Sequence, residues 1–405
     1  MDIDIKNNRE LPMKTYILEN PKNTFYILEK EEEEENNDNY GFHDLSFKEF
    51  YISNHLFSHV ITHLNSFLDK NKNSNEKIVI NIKKISEFIN DNHFSEEILE
   101  NILLNGIPNN LHCLRPLVWK SFIGYFPPND LSKWLNIVQN NYTFYKLLKK
   151  KYQYYPNNIE SQEDKKLITQ LNKDLPRTRA NVPFFKNKAN LKKNSEEINY
   201  DIIKRILFFF AKEHQISYVQ GMNELIAIIY YIFYNDDNPF FTKYVESDAY
   251  YCFSALVEEI EPIFRLSDAP FSQLFINKQI QQINEIMAKC EPEIFNYLRD
   301  IDLSIDNFAI RWIMFLFAQE FKIDVAVNFW DRMFTQKNKM KFICFITVAI
   351  LKKNKDKIVG KEFDDIAIWL KEMGNNINKL DINEIIRIAF DMKKEYNKHN
   401  LNDMH

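Results

Sequence analysis

The sequence predicts an all-α protein of many helices, and three observations carry that prediction. Glycine is scarce, six in 405 residues, well below the usual ~7%; this argues against tight-turned barrels and glycine-rich nucleotide loops. Apolar residues make up 45% and aromatic residues 15%, enough for a large core and unlike a disordered chain. Those residues recur at helical spacing along most of the chain, without a fixed-period repeat that would signal a regular solenoid. The length allows roughly two to three domain-sized units or one large helical body.

Taken in order, residues 1–45 read as irregular. Glu29 to Glu35, with one lysine, is an acidic run whose like charges keep it solvated. Ser46 to Leu68 has helical periodicity, with Ser46 as its candidate N-cap. His55, His59 and His63 fall on one face of that helix. They read as a structural or exposed stripe, because no Cys or acidic ligand completes a metal set, with a metal site as the alternative. Asp69 to Lys77 reads as a linker, and Ile78 to Ile89 as a short helix or a strand.

The character changes at Ser95, a candidate N-cap with Glu96 and Glu97 in the first turn. Gly106-Ile107-Pro108 is a stop-and-restart signal, and Trp119, Phe122, Ile123 and Tyr125 form an apolar face. Trp134 to Tyr152 is amphipathic and ends in Lys149-Lys150-Lys151, read as a solvated helix end. After a loop at Pro156 to Glu163 comes a polar knot, Leu171-Asn172-Lys173-Asp174-Leu175-Pro176-Arg177-Thr178. Phe184 and Phe185 read as the anchors of that knot on the core, and Lys186 to Glu197 as a surface loop.

Ile202 to Phe210 and Leu225 to Phe233 are long enough for buried helices and too short to cross a bilayer. Between them lies Ser217-Tyr218-Val219-Gln220-Gly221-Met222-Asn223-Glu224. A polar Gln beside a scarce Gly at such a junction marks a backbone position that cannot tolerate a Cβ or must approach something closely. Arg177 and Gln220 are therefore expected to face one external ligand. The remaining helices are Ser247 to Phe264, Ile276 to Met287, Glu291 to Leu298, Asp306 to Phe321, Val325 to Phe334, Lys341 to Leu351, Phe363 to Met373 and Ile382 to Tyr396. Asp306 to Phe321 is apolar nearly all round and reads as one deeply buried helix.

The totals exclude several functions. A net charge of −5 gives no electrostatic reason to expect nucleic acid. Cys113, Cys252, Cys290 and Cys344 lie far apart with no CxxC pair, so reduced core thiols are expected rather than zinc or disulfides. No phosphate-cradling G-x-x-x-x-G-K-[ST] and no G-x-S-x-G nucleophile motif occurs. The N-terminus is not a signal or transit peptide, and neither end carries a lipidation signal. A cytoplasmic chain is expected, either free or peripheral to endomembranes, with membrane contact only through a partner.

The ordered motifs resemble those of TBC-domain proteins, GTPase-activating proteins (GAPs) for Rab-type small GTPases, over roughly residues 100 to 390. Gly106-Ile107-Pro108 with Arg115, Val118 and Trp119 resembles the opening motif. Leu171-x-x-Asp174-x-x-Arg177-Thr178 resembles the first catalytic motif, and Tyr218-x-Gln220-Gly221-Met222-Asn223 the second. Phe308 to Trp312, Gln319-Glu320-Phe321 and Trp330-Asp331 resemble later structural motifs. Two departures stand out: Leu171 in place of the usual Ile, and Ser217 in place of a common Gly. Neither touches Arg177 or Gln220.

The resemblance implies a multi-helix TBC fold in two helical subdomains over 96–398, preceded by an extension at 1–95. It assigns Arg177 as an arginine finger and Gln220 as a glutamine finger, both acting in trans on a GTP-bound Rab. An arginine suits the role because it is always charged and its donors form a planar fork. Supplied in trans it contributes about 10³ to 10⁵ in rate. A carboxamide can hold the attacking water, since it donates and accepts at once. Asp174 is expected to hold the Arg177 guanidinium, Tyr218 and Asn223 to brace the glutamine loop, and Gly221 to let that backbone pass close to the GTPase. GTP and Mg²⁺ would be the partner's, with no cofactor of the chain's own. Trp119, Trp312 and Trp330 read as core aromatics, and Arg311 as structural. A non-catalytic Rab-binding scaffold is the competing reading, and a helical adaptor without a GTPase partner a third.

Overall fold

The computed structural model describes residues 59–71, 77–90 and 95–402, apart from the short segments 108–110, 112, 128–129, 153–160, 190–195, 215, 237, 239 and 265–268. The acidic run, Ser46 and His55 lie outside the described residues. The protein is all-α. Among the described residues the one extended pairing is an isolated antiparallel bridge, Lys188 to Ile198. Chain contacts group 55–405 as one compact unit.

Residues 59–70 are helical, and the next helix, α1 (Lys77–Asn90), settles the helix-or-strand ambiguity at Ile78 to Ile89. The His59 and His63 rings lie tilted to each other with centroids 4.4 Å apart. No group of three or more metal-ligating side chains occurs among the described residues. Then come α2 (Glu96–Asn105), α3 (Leu114–Ile123), α4 (Ser132–Tyr152) and α5 (Gln162–Asp174). Ser95 sits at the N-cap of α2 in extended backbone, but its side chain makes no cap hydrogen bond. The acidic first turn is left to satisfy the helix dipole.

The central pair is α6 (Asn199–Glu213) and α7 (Met222–Tyr234). Both bury nearly every apolar side chain, and α8 (Val245–Glu259) packs on each of them. A second set of helices follows: α9 (Ala269–Cys290), α10 (Pro292–Asp300), α11 (Asp306–Met314), α12 (Ile323–Phe334), α13 (Lys339–Lys353), α14 (Phe363–Asn376) and α15 (Lys379–Asn402). Here α9, α13 and α15 pack on one another, and α12 reaches back to α2, α3 and α7. Among the described residues no helix is long and apolar enough to cross a membrane.

The tie between the two sets is polar. Trp119 on α3 donates its indole N–H to Asp331 on α12 at 2.8 Å, and Arg115 pairs with the same carboxylate at 3.2 Å. The opening motif and the Trp330-Asp331 motif, more than two hundred residues apart, are therefore one buried joint. Trp119, Trp312 and Trp330 are all fully buried, as expected of core aromatics.

Two expectations fail, each for a physical reason. Asp306 to Phe321 is not one helix: α11 stops at Met314 and 315–320 form a turn. Leu316 (φ 49°) and Phe317 (φ 58°) take left-handed backbone there, a conformation bulky residues adopt only when their surroundings impose it. Of the three lysines ending α4, Lys150 and Lys151 are exposed as expected, but Lys149 is partly buried. Lys149 pairs with Glu246 at 2.7 Å and Lys151 with Glu213 at 2.7 Å.

Candidate functional site

Two loops meet at the site. The first begins where α5 ends and passes through a 3-10 turn, Leu175–Arg177. Pro176 lacks the N–H that would continue an α-helix, so the chain tightens and turns away. Leu171 and Leu175 are buried, whereas the Arg177 side chain is exposed. The second loop runs from Ile216 to Gly221, between α6 and α7, and presents an exposed Gln220. Neither exposed side chain is tied down by a hydrogen bond or ion pair among the described residues.

The backbones beneath them are locked together. Asn223 Nδ2 donates to Thr178 Oγ1 at 2.7 Å, and that hydroxyl donates on to the Asp174 carbonyl at 3.1 Å. The other face of the Asn223 amide accepts the Gly221 N–H at 2.8 Å. The Tyr218 hydroxyl lies 3.0 Å from Asp174 Oδ2 and 3.0 Å from Asn223 Oδ1, its one proton facing two acceptors. Tyr200 on α6 donates to the Thr178 carbonyl at 2.5 Å. Burial, then the adjacent Asp174 carboxylate, push the Tyr218 phenol well up, so it stays a neutral donor. A buried network with every member satisfied is rigid, because losing one partner strands another away from water.

Tyr218 and Asn223, expected to brace the glutamine loop, bond across to Asp174 and Thr178, and Asn223 also accepts from Gly221. Asp174 differs. It is buried and engaged by Tyr218, and no bond joins it to Arg177 among the described residues. Helix α5 turns its carboxylate inward, so it fixes the loop and not the guanidinium. Gly221 stands where a Cβ cannot fit, one of the two reasons read from the sequence. Its φ is 117°, and a Cβ placed there would lie 2.3 Å from the Phe315 ring. The glycine is required from the inside, by Phe315 and by its left-handed backbone.

Sequence reasoning gave no role to four contributors: Thr178 and Glu224, quoted only as parts of the two motif stretches, and Arg179 and Phe315. Arg179 sits two residues past Arg177 with φ 48°. Its guanidinium is buried, pairs with Glu224 at 2.8 Å, and donates to the carbonyls of Ala318 and Phe321. Burial lowers the Arg179 pKa and raises that of Glu224, and each charge partly offsets the other's loss of water. Nothing local in sequence separates Arg179 from a surface arginine; its buried partners lie 45 to 142 positions away.

Fold and site together define a helical body that carries one exposed arginine and one exposed glutamine on two loops locked to each other. The family model described as the Rab-GTPase-TBC domain matches residues 112–359, and the chain belongs to that family. TBC1 domain family member 13 of Homo sapiens is 29% identical over 183 residues, 45% of this chain and 46% of that protein. GTPase-activating protein gyp1 of Schizosaccharomyces pombe is 24% identical over 338 residues, 79% of this chain and 62% of that protein. The chain spans about half the length of the relatives it matches. Among solved structures, the Ypt/Rab-GAP domain of Gyp1p matches with a TM-score of 0.65 at 22% identity, covering 79% of this chain and all of that one. A flagellar RabGAP TBC domain from Chlamydomonas matches at 0.53 and 17% identity. Those two likenesses show the fold alone.

Proposed function

We propose that this chain is a GTPase-activating protein for a Rab-family GTPase in its GTP-bound state, with Arg177 and Gln220 completing the partner's reaction centre. One observation carries the reading: two exposed, unpaired polar side chains stand on loops cross-linked by the Tyr218, Asp174, Asn223 and Thr178 network. An exposed arginine held on rigid backbone is ready to meet charge growing on phosphoryl oxygens. A carboxamide beside it can orient the in-line water. Both roles need a preorganised frame more than a reactive group. GTP and Mg²⁺ belong to the partner, so the chain acts in trans and turns over no substrate of its own. Its setting would be the cytoplasm and the surface of endomembranes, reached through the Rab, where it would regulate vesicle trafficking.

A transition-state mimic tests this. Rab–GDP with aluminium fluoride is expected to bind the chain far more tightly than Rab–GDP alone, because the fingers engage only the charged, planar phosphoryl mimic. Equal binding of the two forms across a Rab panel contradicts the proposal.

A further inference from the structure

We propose that the turn 315–321 is a shared positioning element for the Arg177 and Gln220 loops, reached by Arg179 from one and by Gly221, against Phe315, from the other. The inference rests on the reading of Arg177 and Gln220 as the working pair and adds what aims them.

Four observations converge on the turn. Arg179 donates to the Ala318 and Phe321 carbonyls, while its pairing with Glu224 holds the first turn of α7. The Phe315 ring fills the space where a Cβ of Gly221 would stand. The turn is itself over-determined. Leu316, Phe317 and Ala318 are fully buried, Trp330 donates to the Leu316 carbonyl at 3.0 Å, and Phe317 stacks on Phe321 at 5.1 Å. Last, α14 seats on its far side at Gly374, where a Cβ would lie 1.7 Å from the Glu320 carbonyl oxygen. Two left-handed bulky residues held this firmly are a fixed anvil between the two loops. An ångström of movement there reaches both side chains, and misplacement up to that scale costs up to about 10²-fold in rate.

Gly374→Ala pushes the turn from α14 and touches neither loop, so it separates the shared-element idea from local damage. The test uses the full chain, with hydrogen exchange read at 175–182 and 217–222 and single-turnover kinetics on a Rab panel. Exchange is expected to rise in both segments by about 3-fold or more. The maximal stimulated rate is expected to fall about 10-fold, with the half-saturating concentration unchanged. Arg179→Ala is expected to loosen 217–222 as well as its own loop, Phe315→Leu to loosen 175–182, and Arg179→Lys to be intermediate in both readouts. Changes confined to each variant's own loop, with both loops unaltered in Gly374→Ala, overturn the proposal. Should the wild-type chain accelerate no Rab, the functional reading fails on that result, and the exchange data still decide whether the turn is shared.

Discussion

Asn223 donates to Thr178 at 2.7 Å across 45 positions of sequence. These residues stand three and one positions past the two exposed side chains, so this bond, with that of Tyr218 to Asp174, ties together the loops that carry them. Thr178→Val keeps the shape and removes the acceptor, leaving the Asn223 amide buried and unpaired. That costs about 1–3 kcal/mol, read as a lowered unfolding midpoint. The stimulated rate is expected to fall with it, by about 10-fold, while Rab binding persists.

Gly221→Ala meets two penalties, a left-handed backbone and the Phe315 ring at 2.3 Å. The substitution is expected to cost about 2–4 kcal/mol. Combining it with Phe315→Ala relieves the contact but not the backbone strain. The double variant is therefore expected to lose less than the sum of the singles. A strictly additive pair in denaturant unfolding would contradict the packing explanation.

Glu246 anchors the core beside the site's helices. It accepts from Tyr145 at 2.8 Å and pairs with Arg205 at 2.6 Å and Lys149 at 2.7 Å. Burial opposes its charge, but Arg205 and then Lys149 overcome that and hold its pKa down at about 2. The folded value lies below the unfolded one of about 4.3. Its contribution, on the order of 2–3 kcal/mol, is therefore fully present above that pH and lost as pH falls toward 2. Glu246→Gln is expected to destabilise at pH 7 and to flatten the acid limb of a circular-dichroism titration between those values.

Asp331 joins Trp119, Arg115 and the two sets of helices. Asp331→Ala leaves a largely buried Arg115 without its carboxylate and is expected to cost about 3–5 kcal/mol, the largest of the stability losses in thermal unfolding. Activity measured well below the new midpoint is expected to survive, because Asp331 is not part of the loop network.

Helices were legible wherever apolar residues repeat against polar ones: α6 and α7 lie within a few residues of their expected ends. The break at Met314 was not legible, because Met314 to Ala318 is an unbroken apolar run and no glycine or proline marks the left-handed turn. Arg177 and Gln220 could be singled out because polar residues interrupt buried segments. Arg179 could not, since its carbonyl partners and Glu224 come near only in the folded chain. Lys120 is hidden the same way: it is buried against Asp248 at 2.5 Å, 128 positions on. The inward turn of Asp174 depends on where α5 lies against Tyr218, which spacing alone does not specify.

The most direct measurement of the central claim is single-turnover GTP hydrolysis by a panel of Rabs, with the wild-type chain, Arg177→Ala and Gln220→Ala compared at equal occupancy. The account predicts that at least one Rab is accelerated. Arg177→Ala is then expected to lose about 10³-fold and Gln220→Ala about 10²-fold, with both variants folded and still binding the Rab. Acceleration that survives both substitutions, or no acceleration of any Rab, would contradict it.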